Sequence, residues 1–421
     1  MIRIVTHEDA SSFEIKRTAH QDVLEKVTAI VADIRENGDA ALFSYSKKFD
    51  GVQAFEVPQA DIEAAFENTD ENFKRILTRA KDNITAYHAL QKRTGFIHES
   101  DGVVMGQRII PLERVGVYVP GGTSAYPSTV LMDAIPAKIA GVREIIMVSP
   151  PQKDGKLSAD VLAAAKIAGV DRVFAMGGAH AIAALAYGTE TVPMVDKIVG
   201  PGNIWVVTAK KLVYGQVGLD MVAGPSDILI IADNLANPAF VAADLLSQAE
   251  HGALSQAILI TTSEALAKAV QTELSVQLAK LPRREEAEAS LRDNGMIILT
   301  SSLKASADLA NKIAPEHLEL CVNEPFALLP LIKNAGSVFL GHFTPEALGD
   351  YMAGPNHTLP TEGTARFSSP LSVDDFCKKS SFLYYSKDAF NQIASDVAEF
   401  AAREGLKAHA ESAIVRTKRE G

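Results

Sequence analysis

Apolar positions recur at helical spacing over 19–37 and again over 40–48, with Glu36-Asn37-Gly38-Asp39 as the break between them. Amphipathic helices continue over 60–68 and 71–92, so the first ninety residues are expected to be mostly a helical packing layer without chemistry. The texture then changes. Positions 103–119 are rich in β-branched residues and close on Gly116-Val117-Tyr118-Val119-Pro120-Gly121-Gly122, a strand running into a tight turn. Beyond that turn, helix and strand alternate with short Gly or Pro connections: helices over 129–140, 159–168 and 179–187, strands over 144–149, 172–176 and 197–199. A second round follows Ala223-Gly224-Pro225-Ser226, with strands over 227–232, 257–261, 296–300, 318–322 and 337–340, and helices over 236–251, from Glu264, over 305–314 and over 325–334. Positions 345–370 show no periodicity and read as a long loop, and 387–415 is helical with an interruption at Gly405.

This alternation predicts an α/β protein with two Rossmann-like α/β domains facing a cleft, a helical N-terminal region and a helical C-terminal dimerisation segment. The expected divisions are 1–117, 118–225, 226–369 and 370–421. A chain of 421 residues is long enough for more than one core. Its net charge of −11 excludes the basic surface that nucleic acid requires. Two cysteines, Cys321 and Cys377, are too few for a disulfide framework, and no long apolar run is present, so a cytoplasmic protein without membrane contact is expected.

The candidate chemistry sits in polar clusters within apolar surroundings. Gln248 and His251 are three apart near the end of a helix, with Gly252 placed as its C-cap, so both can address one object; a solvated helix end is the ordinary alternative. Glu316 and His317 stand where a helix hands over to a strand, and adjacent residues can serve one site only from that turn. Asp350 and His357 lie in the long loop, together with Arg366; Glu404 and His409 flank the Gly405 break. Gln248, His251, Asp350 and His409 together offer an amide, a carboxylate and two imidazoles, a mixture that suits Zn²⁺. Two strands enter helices through glycines, at Gly177-Gly178-Ala179-His180 and Gly200-Pro201-Gly202-Asn203, where backbone N–H groups favour phosphate. Neither is a G-x-G-x-x-G, no acidic residue stands at the usual spacing, and tight packing is the alternative. Cys321 reads as a small core residue.

With these stretches in order, the chain resembles the histidinol dehydrogenase family over essentially its whole length, through V-Y-V-P-G-G, V-D-K-I-V-G-P-G-N, A-G-P-S-D, L-L-S-Q-A-E-H-G, P-E-H-L, G-D-Y-M-A-G-P-N-H-T-L-P-T and G-T-A-R-F-S-S-P-L-S-V-D-D-F. The resemblance implies a zinc- and NAD-dependent enzyme that oxidises L-histidinol to L-histidine via L-histidinal in two hydride transfers, the last step of histidine biosynthesis. It implies one Zn²⁺ per subunit held by Gln248, His251, Asp350 and His409, with Glu316 and His317 as catalytic acid–base residues. Ser226, His357 and Glu404 join Gln248, His251, His317, Asp350 and His409 as substrate contacts, and Tyr118, His180 and Asn203 fall at the NAD site. It further implies a homodimer with shared active sites, in which His409 comes from the other copy. Two positions depart from the family pattern: His180 stands where Gln is usual, so that a hydrogen bond can still be donated but cofactor affinity or its pH dependence is expected to differ, and Asp227 stands where Glu is usual, one methylene shorter, so that a local contact is expected to be lost or water-bridged. The rival readings are a zinc- and NAD-dependent dehydrogenase of another small polar alcohol such as a sulfonated diol, a metal-dependent hydrolase, and a non-enzymatic binding protein.

Overall fold

The computed structural model describes residues 2–10, 21–121, 125–221 and 224–417. Gly122 and Ala223, which close and open two of the turns singled out above, lie outside the described residues. The chain forms two compact units, one of Met1–Gln91 and Leu112–Phe376, the other of Lys92–Pro111 and Cys377–Gly421.

The first unit holds two six-stranded sheets. One runs Phe55–Glu56, Arg172–Ala175, Glu144–Ser149, Arg114–Tyr118, Lys197–Val199, Gly218–Leu219 in spatial order; all its pairings are parallel except that of the short edge strand Phe55–Glu56. The other is wholly parallel and runs Arg3–Thr6, Met296–Leu299, Gln256–Thr261, Asp227–Ala232, His317–Cys321, Ser337–Leu340. Both faces of each sheet are covered by apolar clusters. That is why central strands such as Asp227-Ile228-Leu229-Ile230-Ile231-Ala232 are buried throughout and read as continuous apolar runs rather than alternations.

Several elements differ from expectation. The N-terminal region is mostly helical, but Arg3–Thr6 and Phe55–Glu56 leave it to edge the two sheets. The helix Gln21–Phe49 does break at Gly38, which adopts φ 52°. The β-rich run over 103–119 is two strands in different sheets, because Leu112 and Glu113 separate Val103–Pro111 from Arg114–Tyr118. Only Pro325–Leu328 and one 3-10 turn form in 325–334, where Pro330 and Gly336 restrict propagation. The loop over 345–370 contains the short helix Glu346–Tyr351. The C-terminal segment opens with a nine-residue strand, Cys377–Tyr385, before its helices Lys387–Arg403 and Lys407–Ile414. In the second unit that strand pairs antiparallel with Val103–Pro111, which in turn pairs with Phe96–Ser100.

Candidate active site

The site is built at the amino ends of two neighbouring strands of the fully parallel sheet, Asp227–Ala232 and His317–Cys321, where Ile228 pairs with His317. Glu316 lies in the turn just before its strand and His317 opens it, so the two side chains serve one place, as adjacent residues at such a turn can. Glu316 Oε2 accepts the Asp227 N–H at 3.0 Å and lies 2.7 Å from Ser226 Oγ. In return Asp227 Oδ1 accepts the Glu316 N–H at 2.8 Å. The shorter Asp227 therefore makes a direct contact with the turn that carries Glu316 and His317, correcting the expectation of a lost or water-bridged one.

His317 Nδ1 lies 2.9 Å from the Asp227 carbonyl oxygen. A carbonyl only accepts, so Nδ1 carries a proton and Nε2 is the nitrogen free to exchange one. Nε2 is buried without a hydrogen-bond partner among the described residues, 3.9 Å from both Glu346 Oε1 and Asp350 Oδ1. Burial opposes charging the ring, but the carboxylates of Glu316, Glu346 and Asp350 outweigh it and lift His317 to about 9. Burial raises Glu316 and Asp350 above the usual carboxylate range and pushes Asp227 up to about 7. Burial lowers His357 to about 4, so that its imidazole is neutral; its Nδ1 lies 3.1 Å from the Asp350 carbonyl oxygen.

Gln248 and His251 are delivered by the helix Pro238–Ala249, which starts on an Asn237 cap with Pro238 in its first turn. The helix ends earlier than expected: Glu250 caps it in a right-handed conformation and Gly252 is not its C-cap. The chain nonetheless keeps turning, since the His251 N–H reaches the Gln248 carbonyl at 3.1 Å. Gln248 is fully buried, with Oε1 2.8 Å from Ser226 Oγ and Nε2 lacking a partner among the described residues. One hydroxyl proton cannot serve both Gln248 Oε1 and Glu316 Oε2. With the carboxamide turned over, Nε2 donates to Ser226, Ser226 donates to Glu316, and a buried amide oxygen is left free to hold a cation.

Asp350 comes from Glu346–Tyr351, and this helix supplies a residue that the sequence reading missed. Glu346 is buried, with its N–H donated to Glu319 Oε1 at 2.7 Å and its Oε2 3.0 Å from Ser247 Oγ. The ligating atoms of His317, Glu346 and Asp350 lie within 4.8 Å of one another. The signal was the four-residue spacing of Glu346 and Asp350, which puts both on one helix face; it is uninformative while the stretch is read as a loop. His251, Glu346 and Asp350 line one cavity of about 490 Å³, which also takes in Ser247 and Glu250. A buried carboxylate pair, an imidazole beside them and an orphaned carboxamide fit a divalent cation such as zinc. Among the described residues, Arg283 is the one lysine or arginine lining this cavity. Arg366, the cation singled out earlier, instead donates to the Gly363 carbonyl within its own loop.

A second donor group, Asp244, Glu319 and Cys321, stands behind the first. Burial raises the Cys321 thiol well above its ordinary range, and it is a core residue, as expected, rather than a nucleophile. The loop after Asp350 is tied down by Asn356 Nδ2 donating to the Met132 carbonyl at 2.6 Å and by Thr358 Oγ1 donating to Asp133 Oδ1 at 2.7 Å.

The candidate cofactor residues gather at the carboxyl edge of the other sheet. Its strand order reverses between Arg114–Tyr118 and Lys197–Val199, and open α/β sheets bind ligands in the crevice beyond such a reversal. Tyr118 ends one of these strands, buried, with its hydroxyl accepting the Gly178 N–H at 3.1 Å. Gly200 follows the other at φ 109°, and a Cβ there would collide with the Tyr118 carbonyl oxygen. Asn203 caps the helix Ile204–Val213 through Oδ1, and His180 is buried with Nε2 2.8 Å from Asp50 Oδ2.

Glu404 and His409 belong to the second unit. Gly405 turns the chain at φ 80° between the two helices, and both exposed side chains line one groove of about 910 Å³ with Phe390, Phe400 and Leu406. Five apart on an unbroken helix they would diverge; the break lets them share a surface.

Residues 14–417 match the family model described as histidinol dehydrogenase. The chain is 53% identical over 400 residues to histidinol dehydrogenase of Clostridium acetobutylicum, covering 94% of this chain and 93% of that one. It is 50% identical over 423 residues to histidinol dehydrogenase of Halalkalibacterium halodurans, with 100% of each chain covered. The crystal structure of histidinol dehydrogenase from Elizabethkingia anophelis superposes with a TM-score of 0.93 at 38% identity, over 99% of this chain and 98% of that one. On likeness of this extent in both sequence and fold, the chain belongs to the histidinol dehydrogenase family.

Proposed function

We propose that this protein oxidises L-histidinol to L-histidine through L-histidinal, with NAD as acceptor in both steps and a zinc ion in the site. The observation that carries the reading is the setting of His317: Nδ1 locked on a backbone carbonyl, Nε2 open among carboxylates, and Glu316 hydrogen-bonded beside it. Gln248, His251 and Asp350 would hold the metal together with the partner subunit's His409, and Tyr118, His180 and Asn203 would border the dinucleotide. When bound, zinc supplies positive charge that orients the substrate's amine and imidazole nitrogens, and NAD supplies a two-electron acceptor.

The protein's own groups handle the protons. His317 Nε2 takes the hydroxyl proton of the alcohol as it becomes the aldehyde. The carboxylates that lift His317 are also those that attract a cation, so cation binding and release of the His317 proton are coupled. Glu316, oriented by Ser226 and the Asp227 N–H, takes a proton from the water that adds to the aldehyde, and the resulting gem-diol is oxidised in the second step. Ser226, His357 and Glu404 are assigned to substrate contacts. An acid-lined cavity suits a cationic amino alcohol better than a sulfonated one.

The test is the stoichiometry of NADH formed from L-histidinol by metal-loaded protein. Two NADH per histidinol, abolished by chelation and restored by Zn²⁺, is the expected result. A loaded protein that forms none refutes the substrate assignment, and one that turns over another polar alcohol instead identifies the rival dehydrogenase.

A further inference from the structure

The strand that presents His317 also carries a buried carboxyl to which the proposed chemistry gives no task. Glu319 lies two positions beyond His317 on His317–Cys321, so both side chains leave the same face of the sheet. It is 1% exposed. Its Oε1 accepts the Glu346 N–H at 2.7 Å, at the first turn of the helix Glu346–Tyr351, and its carboxyl is hydrogen-bonded to that of Asp244 on the helix Pro238–Ala249. One side chain therefore joins the two helices that deliver proposed metal ligands, Gln248 from one and Asp350 from the other, to the strand that delivers His317.

Two carboxyls in hydrogen-bond contact need a proton between them, because an ionised carboxylate only accepts. Burial raises both Asp244 and Glu319 above the usual carboxylate range, and the bond between them lowers Asp244 while raising Glu319 further. Glu319 is thus the neutral partner. It donates to Asp244 and accepts from Glu346, the two tasks that a carboxamide of the same length would perform. Cys321, the third member of this cluster, directs its S–H at Glu319 Oε2 from 3.6 Å, a weak contact beside a strong pair.

The helix Glu346–Tyr351 has six residues and follows Pro345 without a side-chain cap. A helix of that length is not stable by itself, so tertiary ties decide where Asp350 stands. Those ties are the Glu346 N–H on Glu319, Ser247 Oγ 3.0 Å from Glu346 Oε2, and Gly349 against the Phe339 ring, where an added Cβ would lie 2.5 Å from the nearest ring carbon. The longer helix carries Asp244 and Gln248 four apart, hence on one face. The hold of Glu319 on Asp244 therefore also sets the rotation that brings Gln248 to Ser226.

We propose that Glu319 is a positioning residue for the metal, its side chain fixing the separation of Gln248 from Asp350 through Asp244 and the Glu346 N–H. The proposal rests on the reading of Gln248 and Asp350 as zinc ligands. Glu319 itself neither ligates the cation nor meets the substrate; it holds the frame into which the cation fits. Groups that orient metal ligands from behind are worth about 10- to 100-fold in metal affinity.

Competition between the metal-free protein and a chromogenic chelator for Zn²⁺ tests this without recourse to turnover. Glu319→Gln keeps an acceptor for the Glu346 N–H and a donor for Asp244, so its zinc affinity should stay within about 3-fold of that of the unsubstituted protein. Glu319→Leu removes both and should weaken zinc binding by about 10- to 100-fold. Cys321→Ala, a truncation at the neighbouring core position, should leave the affinity as it was, which separates lost positioning from damage to the core. Should Glu319→Leu fail to fold, Asp244→Ala at a half-buried position cuts the same tie from the other side, with an expected loss of about 10-fold. Unchanged zinc affinity in a folded Glu319→Leu or Asp244→Ala protein overturns the positioning role alone, as does a loss in Glu319→Gln or Cys321→Ala equal to that in Glu319→Leu. A folded, unsubstituted protein that binds no zinc overturns the zinc reading and the positioning role with it.

Discussion

Asp133 shows how much one buried group governs. It is fully enclosed, with Oδ1 accepting from Thr358 and Oδ2 unpartnered among the described residues, and burial pushes its carboxyl up to about 8. A carboxyl whose folded value is raised holds its proton in the native state across the interval where the unfolded chain has released it. Its stabilising contribution is therefore complete below about pH 4 and is lost as pH rises to about 8, at a slope near 1.4 kcal/mol per pH unit. Asp133→Asn, neutral and of the same shape, should raise the melting temperature by several degrees at pH 8.5 and leave it unchanged at pH 4, as scanning calorimetry at both pH values will report. At the chemical centre, His317→Ala should nearly abolish turnover while bound zinc, measured by atomic absorption, stays at one per subunit; loss of the metal instead would make His317 a ligand. Glu346→Gln separates the two roles open to the missed carboxylate. If Glu346 only supports Asp350, turnover falls with zinc content and is restored by excess Zn²⁺; if it meets the substrate ammonium, KM for histidinol rises by about 10-fold or more at full zinc occupancy. The second result is expected, since Glu346 Oε1 faces His317 Nε2.

Elements were legible where their pattern was local. The βαβ rhythm from Arg114 to Leu340 was readable because parallel strands buried on both faces are continuous apolar runs bounded by Gly and Pro. Glu316 and His317 were readable for a related reason, a polar pair at the mouth of such a strand. The short helix Glu346–Tyr351 was hidden by Pro345 and Gly349 in a Gly-rich stretch, and its burial of Glu346 was hidden with it. Cys377–Tyr385 was hidden because it pairs with Val103–Pro111, some 270 positions earlier, and exposes most of its length; neither the partner nor a buried face shows in a local window. Gly200 marks the limit of substitution at the element scale. At φ 109°, where an added Cβ would meet the Tyr118 carbonyl, it follows one of the two strands at the sheet's reversal and lies against the end of the other. Gly200→Ala should destabilise the fold by about 3 kcal/mol or more in urea titration. Gly215, also left-handed at φ 97° but with nothing within 4 Å of its Cβ position, should cost about 1 kcal/mol when changed to Ala, so the difference isolates the collision from the backbone preference.

At the scale of the whole molecule, the proposed donor set is divided between the chain's two compact units. Gln248, His251, Asp350, Glu316 and His317 belong to the first compact unit, Glu404 and His409 to the second. The second unit carries exposed apolar side chains, Val397, Phe400 and Leu406, in the groove that holds Glu404 and His409. In a monomer such a surface remains in water; in the proposed homodimer with shared sites it would be covered, and His409 would complete the site of the other copy. The consequence is complementation. A Glu316→Ala subunit has an intact second unit and a dead first one; a His409→Ala subunit has the reverse. Each homodimer should be inactive. A mixed dimer pairs one site lacking both residues with one lacking neither, so random exchange of equal amounts should restore about a quarter of normal activity, half the dimers being mixed and each carrying one working site. Subunit exchange is verified independently by mass spectrometry of differently tagged copies. Proven exchange without recovered activity would mean that each chain uses its own His409, and the shared site would have to be abandoned.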